Sequence, residues 1–213
     1  MPKISDVKKK VELYKYIRNM ILRRELLPGD KIPEAEIAKE LHVSRTPVRE
    51  AVRQLAWHGI ITMEPNKSAT VTVLDDKFIL DISTVRWAHE RVNIPLVIYN
   101  GSNRDFAELR EYADKCVECN EAGDINGRYK YDAKFHMLLY LIGGNEVLIR
   151  MHRSLELMIG LWMSSTIMDP KTQKEEIQRH RNIVDYLEAR DVEGLTSALY
   201  THYCNSYGIE IPC

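Results

Sequence analysis

The sequence predicts a mainly α-helical chain: a small head of three helices and a β-hairpin, then an all-α antiparallel bundle of about six helices. Three observations carry that expectation. Residues 28–61, PGDKIPEAEIAKELHVSRTPVREAVRQLAWHGII, read as a short helix, a tight turn and a second helix with arginines along one face. Two strand-like runs, 60–63 and 69–73, surround the turn-rich Glu64-Pro65-Asn66-Lys67-Ser68. Beyond Asp76 strand signals disappear, and long helical patterns alternate with short breaks.

In chain order, residues 7–24 form the first helix, with Val7, Val11, Tyr14, Ile17 and Ile21 spaced for one face. Leu27-Pro28-Gly29-Asp30 breaks it. A short helix over about 34–41 follows Pro33. Ser44 can cap the next helix, and Pro47 is tolerable in its first turn, where a missing N–H costs little. That helix runs to about His58 and stops at Gly59. Along it Arg45, Arg49 and Arg53 recur at i, i+4 and i+8, while Val48, Ala51, Val52 and Leu55 lie on the adjoining side. A basic stripe facing outward and an apolar stripe facing inward suit the major groove of DNA. Together with the hairpin, these three helices make a winged helix-turn-helix, assigned to residues 1–75.

Residues 76–213 form the second domain. Breaks at Asn100-Gly101-Ser102, Gly123-Asp124, Gly143-Gly144-Asn145, Asp169-Pro170 and Ala189–Asp191 divide it into helices of roughly 17–25 residues. Short connections imply antiparallel neighbours. Pro95 should kink or curve the first of these helices.

Composition narrows the function. The 213 residues carry a net charge of −1, which excludes a globally basic polyanion binder. The balance is uneven: through Asp75 there are 14 basic against 10 acidic residues, and beyond it 16 against 21. A polyanion would therefore bind the front. No apolar run approaches the roughly 18–20 residues of a membrane span, and MPKISDVKKK is no signal peptide, so a cytoplasmic protein with no membrane partner is expected. The four cysteines do not resemble a secreted disulfide framework. Cys116 and Cys119 form a CxxC, but without a βαβ context or a second pair they read as two cysteines on a helix.

A second constellation lies in the bundle. Asp132 and His136, at i and i+4, project the same way, and His180 and His202 each sit mid-helix in the last two predicted helices. One carboxylate and three imidazoles suit a divalent metal ion such as zinc, nickel or manganese. Spacing alone leaves the alternative open that these are ordinary helix residues. His42, His58, His89 and His152 read as structural or surface residues. Arg86 and Glu90 form another i, i+4 pair, either a surface ion pair worth little or a guanidinium inside the bundle that clamps a carboxylate ligand. The spacing alone favours the surface pair.

The run LLPGDKIPEAEIAKELHVSRTPVREAVRQLAWHGII resembles the DNA-binding half of GntR-type bacterial regulators, most specifically in VSRTPVREAVRQL. RWAHE (86–90), DAKFH (132–136), GGN (143–145), His180 and His202 resemble the FCD ligand-sensing domain of the FadR-like branch. The resemblance implies a homodimeric regulator, repressor or activator, that leaves its double-stranded operator when a small carboxylate effector binds. It implies base and phosphate contacts from Arg45, Thr46 and Arg49 with Ser44 beside them, and metal ligation by Asp132, His136, His180 and His202.

Three departures from the family pattern stand out. His42 replaces a frequent turn glycine, and histidine tolerates a left-handed backbone better than most residues. Asn66, able to adopt positive φ, stands near the wing tip where a glycine is usual. Ala35 occupies a place where some members carry a phosphate-touching arginine, which puts more of the affinity on Arg45, Arg49 and Arg53. On this reading Arg86 neutralises an effector carboxylate beside the metal. The rival reading is a metal-dependent hydrolase using the same Asp/His site.

Overall fold

A computed structural model describes residues 4–165, 170–208 and 210–211. Its contacts divide the chain into two compact units. The helices are α1 (Ile4–Leu22), α2 (Glu34–Glu40), α3 (Arg45–Trp57), α4 (Asp76–Asn100), α5 (Asn103–Glu121), α6 (Ile125–Gly143), α7 (Glu146–Ser165), α8 (Pro170–Glu188) and α9 (Val192–Tyr207), with strands β1 (Ile61–Thr62) and β2 (Thr70–Val71) between α3 and α4. One unit contains the chain through Leu74 together with α7 from Leu157 onward. The other contains Asp75 to Glu156 with α8 and α9.

In the first unit, α1 buries Leu13, Ile17 and Ile21 against Val48, Ala51, Val52 and Leu55 of α3. The expected α1 face is shifted by about one residue. Leu13 is inside, Tyr14 is half-buried with its ring edge-to-face on His58, and Val11 is 47% exposed. Tyrosine's polar tip favours the border of a core and leucine its centre. Val7 has no described side chain.

Ser44 stands at the N-cap of α3 with extended backbone (φ −72°, ψ 163°), yet its side chain makes no capping bond. The hydroxyl therefore stays exposed rather than satisfying the first turn. Gly59 ends the helix at φ +73°. His42 sits at φ +51° and Asn66 at φ +60°, so both positions adopt the left-handed backbone that their residue types tolerate.

The hairpin is shorter than expected, pairing Ile61 with Val71 and Thr62 with Thr70 in antiparallel register. Residues 29–32 extend it on the other side. Gly29 N donates to Val71 O, Val71 N to Asp30 O and Ile32 N to Ala69 O, each at 2.9 Å. The segment that breaks the first helix thus becomes part of the wing's sheet.

Among the described residues beyond Asp75 the six expected helices are present, between 16 and 25 residues long, with α7 divided between the two units. Side-chain caps start α4, α5, α6 and α9. Asp75 accepts from Phe78 N, Asp124 from Gly127 N and Asp191 from Gly194 N, while Ser102 and Asp105 form a reciprocal capping box. Gly144 at φ +70° closes α6. The break at Asp169 lies outside the described residues. Pro95 lies within α4, which continues through it to Asn100. Cys116 and Cys119 lie on α5 and are not joined in a disulfide.

The inward face of α4 is polar: Arg86, His89, Glu90 and Asn93 recur at helical spacing and all are buried. Asn93 Nδ2 donates to Leu139 O at 3.1 Å. Gly143 permits that approach, since a Cβ there would lie 2.0 Å from Asn93 Oδ1. Gly143→Ala should therefore cost about 1–3 kcal/mol through overpacking, read as a lower midpoint in denaturant unfolding. An unchanged midpoint would mean that Asn93 can swing away freely.

Candidate functional site

Two sets of residues stand out, one in each unit. In the first, α3 presents Arg45, Thr46, Arg49 and Arg53 to solvent while its apolar side is buried. These four line a concave surface that also includes Glu34 and Ala35 of α2. Ser44 is exposed beside them. The surface is open, cationic along one helix and built on a rigid core. Ala35 leaves α2 without a cation at its edge.

In the second unit, four side chains from three helices converge. Asp132 and His136 come from α6, His180 from α8 and His202 from α9, and all are buried. Nε2 of His136 lies 3.1 Å from Nε2 of His202 and 3.3 Å from Nε2 of His180. Asp132 Oδ1 lies 3.3 Å from His180 Nε2 and 3.9 Å from His136 Nε2. One ligand atom from each histidine lies within 4.8 Å of the others.

This spacing is a test of fit for a cation. A cation at the roughly 2.0–2.1 Å usual for imidazole nitrogen holds tetrahedral ligands about 3.3 Å apart. Two of the three nitrogen pairs already stand near that separation, and the third lies within 4.8 Å. Burial, and after it the charges of Arg86 and the neighbouring imidazoles, pull His136 well below its ordinary pKa; His202 is likewise pulled down, burial first. Neutral imidazoles offer lone pairs. Burial pushes Asp132 upward, but the hydrogen bond and charge of His180, with Arg86 and Arg128, outweigh it and hold the carboxyl below its usual range. The donor set is one carboxylate and three imidazole nitrogens, which matches a borderline divalent ion.

The surroundings of the cluster contain residues with no local sequence signal. Tyr203 OH donates to Glu90 Oε1 at 2.7 Å and stands 3.4 Å from His136 Nδ1. A hydroxyl has one proton; with that proton on the carboxylate, its oxygen accepts from His136 Nδ1–H. That fixes the tautomer and leaves the Nε2 lone pair facing His180 and His202. Burial drives Glu90 up, partly offset by Tyr203, Arg86 and Tyr140.

Arg86 is only 4% exposed, with its guanidinium 4.2 Å from the Tyr203 ring centroid. The surface-pair reading of Arg86 and Glu90 is therefore wrong. The face of α4 that holds them looks into the bundle. Arg86 is the common charge of the site, lowering the pKa of Asp132, His136, His202 and His152. His89 and His152 are also buried rather than at the surface, at 9% and 1% exposure, whereas His42 is exposed and His58 half-buried.

Buried neutral histidines give the metal-free protein an acid weakness. The unfolded chain takes up protons below pH 6.5, the ordinary histidine value, while the folded chain refuses them, so stability is lost as pH falls. For His152, held down to about 2 mainly by burial, that window extends through the whole acid range. Each such histidine contributes a slope of about 1.4 kcal/mol per pH unit below pH 6.5. Urea unfolding of chelator-treated protein between pH 7 and 5 should show a steep decline; a flat profile would contradict neutral buried imidazoles.

Comparison with known proteins joins the two sites. Residues 9–71 match the bacterial regulatory proteins of the gntR family, and residues 81–205 match the FCD domain. A probable D-xylose utilization operon transcriptional repressor of Paenarthrobacter nicotinovorans is 32% identical over 181 residues, 84% of this chain and 78% of that protein. The Nta operon transcriptional regulator of Aminobacter aminovorans is 28% identical over 179 residues, 82% and 81% of the two chains. Among solved structures, E. coli McbR/YncC superposes with a TM-score of 0.82 at 22% identity, covering 94% of this chain and 95% of the other, which is a likeness of fold. The relatives are transcription regulators, not enzymes, which sets the hydrolase reading aside. No helix among the described residues is long and apolar enough to cross a membrane. From the wing and arginine-lined helix to the polar heart of its bundle, this chain belongs to the GntR family of bacterial transcription regulators, with an FCD domain as its C-terminal half.

Proposed function

We propose that the chain is a ligand-responsive repressor that binds a near-palindromic operator as a homodimer and leaves it when a small organic acid occupies the FCD domain. One observation carries this reading: four buried metal-ligand side chains converge beside a buried arginine, in a chain whose other unit exposes an arginine-lined helix. Arg45 and Arg49 reach base edges such as guanine O6 and N7, while Ser44, Thr46 and Arg53 hold phosphates. The name of the D-xylose operon relative supports repression. Location in the cytoplasm follows from the same role.

Asp132, His136, His180 and His202 would hold a divalent ion, with zinc, nickel and manganese the candidates. A bound ion would supply positive charge and a coordination position for a carboxylate. Arg86, buried with its charge bearing on the same side chains, meets the remaining charge of the acid. Tyr203 and Glu90 hold His136 in the ligating tautomer. Tyr203→Phe should therefore weaken metal binding by about 10- to 100-fold while sparing the fold, measured by competition with a chelating dye. Unchanged affinity would remove Tyr203 from the metal's support.

Selection from a random pool of duplexes tests the operator reading. The recovered sequences should contain an inverted pair of half-sites, bound by two chains. A single asymmetric site bound by one chain would contradict the homodimer.

A further inference from the structure

His152, on α7, is 1% exposed, and its ring lies flat on Tyr140, with centroids 4.0 Å apart and planes 16° apart. Tyr140 follows His136 by one turn of α6, so the ring that His152 stacks on shares a helix face with the histidine cluster. Arg86 links the two ends electrostatically, since its charge bears on His136 and on His152 alike.

Neither ring nitrogen of His152 has a hydrogen-bond partner among the described residues, and Nδ1 of His89, on the inward face of α4, also has none. Asn93 Oδ1, further along that face, also has no partner, but it is wedged at Gly143 while its amide donates to Leu139 O. Leaving a buried polar group unmet costs roughly 1–3 kcal/mol, and such groups in native proteins nearly always meet a partner. His152 carries two of them, beside the face of α6 that holds the histidine cluster.

The chemistry of the missing partner follows from the ring. Burial, then the charges of Arg86 and His89, keeps His152 neutral down to about pH 2. A neutral imidazole presents one N–H donor and one lone pair. A hydroxyl, donor and acceptor at once, complements it. A second carboxylate would face an uncharged ring stacked on Tyr140, which bonds the buried Glu90, and would have to share the Arg86 charge with the first carboxylate. An alkyl group would leave both nitrogens unmet. We infer that His152 is a specificity residue of the effector site, reading an uncharged hydroxyl on a small monocarboxylic acid whose carboxylate is held at the Arg86 and histidine end.

This inference rests on the organic-acid reading above, and calorimetric titration of the metal-loaded full chain separates the two. The probes are three- to five-carbon acids: propionate, butyrate and valerate, their hydroxy derivatives, and the diacids malonate, succinate and glutarate. A hydroxy acid should bind about 10-fold or more tighter than the plain acid and the diacid of its length. His152→Phe, which keeps a ring stacked on Tyr140, should erase that margin while leaving the plain acid within about 3-fold of its original affinity. His152→Gln, which restores a donor and an acceptor, should recover part of it. A diacid binding tightest, or a hydroxyl margin that survives both substitutions, overturns the role of His152 alone. Failure of every acid to bind overturns the organic-acid reading and this inference with it.

Discussion

Arg49→Ala should weaken operator binding by about 1–3 kcal/mol, roughly 5- to 150-fold, with the melting temperature unchanged. Arg49 is exposed on α3 between Arg45 and Arg53, so truncation removes a contact and leaves no cavity. The side chain's role decides the form of the loss. A base-reading arginine relaxes preference at one operator position. A phosphate-holding arginine weakens all sequences alike and lowers the salt slope by about one. Arg53→Ala is the comparison, expected to show the second behaviour. Fluorescence anisotropy at several salt concentrations distinguishes the two, and unchanged affinity for Arg49→Ala would sink the recognition-helix assignment.

His180→Ala should abolish tight metal retention and the response to acid, yet leave operator binding without acid largely intact. His180 is the sole described side chain that α8 contributes to the four-residue cluster, and it stands nearest to Asp132. Loss of a direct ligand should exceed the roughly 10- to 100-fold cost of losing an outer-shell partner. The same substitution strips a buried carboxylate of its partner, which is itself destabilising. His180→Gln keeps a hydrogen-bond donor for Asp132, so it separates metal loss from unfolding. Elemental analysis after gel filtration reads the result, and full occupancy in both variants would remove His180 from the site.

How much of this was legible in the sequence varies by residue. The arginine and apolar stripes of α3 were legible because both follow a single helical period on one short helix. His42 and Asn66 were legible because backbone chirality limits which residues take positive φ. Asp132 and His136 share a face by local geometry, but His180 and His202 come level with them only through the packing of α6, α8 and α9. Their mid-helix positions make them candidates, and it is the resemblance to the family that strengthens the assignment. Arg86 and Glu90 show the limit most clearly. A surface pair and a buried pair have identical spacing, and α4 buries Ile79, Ile82, Trp87, Ile94 and Val97 yet exposes Val85, Val92 and Tyr99, so apolar residues on both sides do not single out its inward face. Tyr203, Tyr140 and His152 carry no local signal because their roles arise from neighbours on other helices.

The central claim is that the Asp/His site is the input and the arginine helix the output of one switch. An acid changes operator binding only through different affinities for the free and DNA-bound states. Such coupling is reciprocal, so each ligand must alter the other's affinity by the same factor. The most direct measurement titrates the metal-loaded protein with an acid found by thermal shift, with and without saturating operator DNA, alongside operator affinity with and without the acid. The account predicts that the acid binds the DNA-bound protein more weakly, by the factor by which it weakens operator binding, and that His180→Gln loses both effects together. Equal affinity of the acid for free and DNA-bound protein would contradict it.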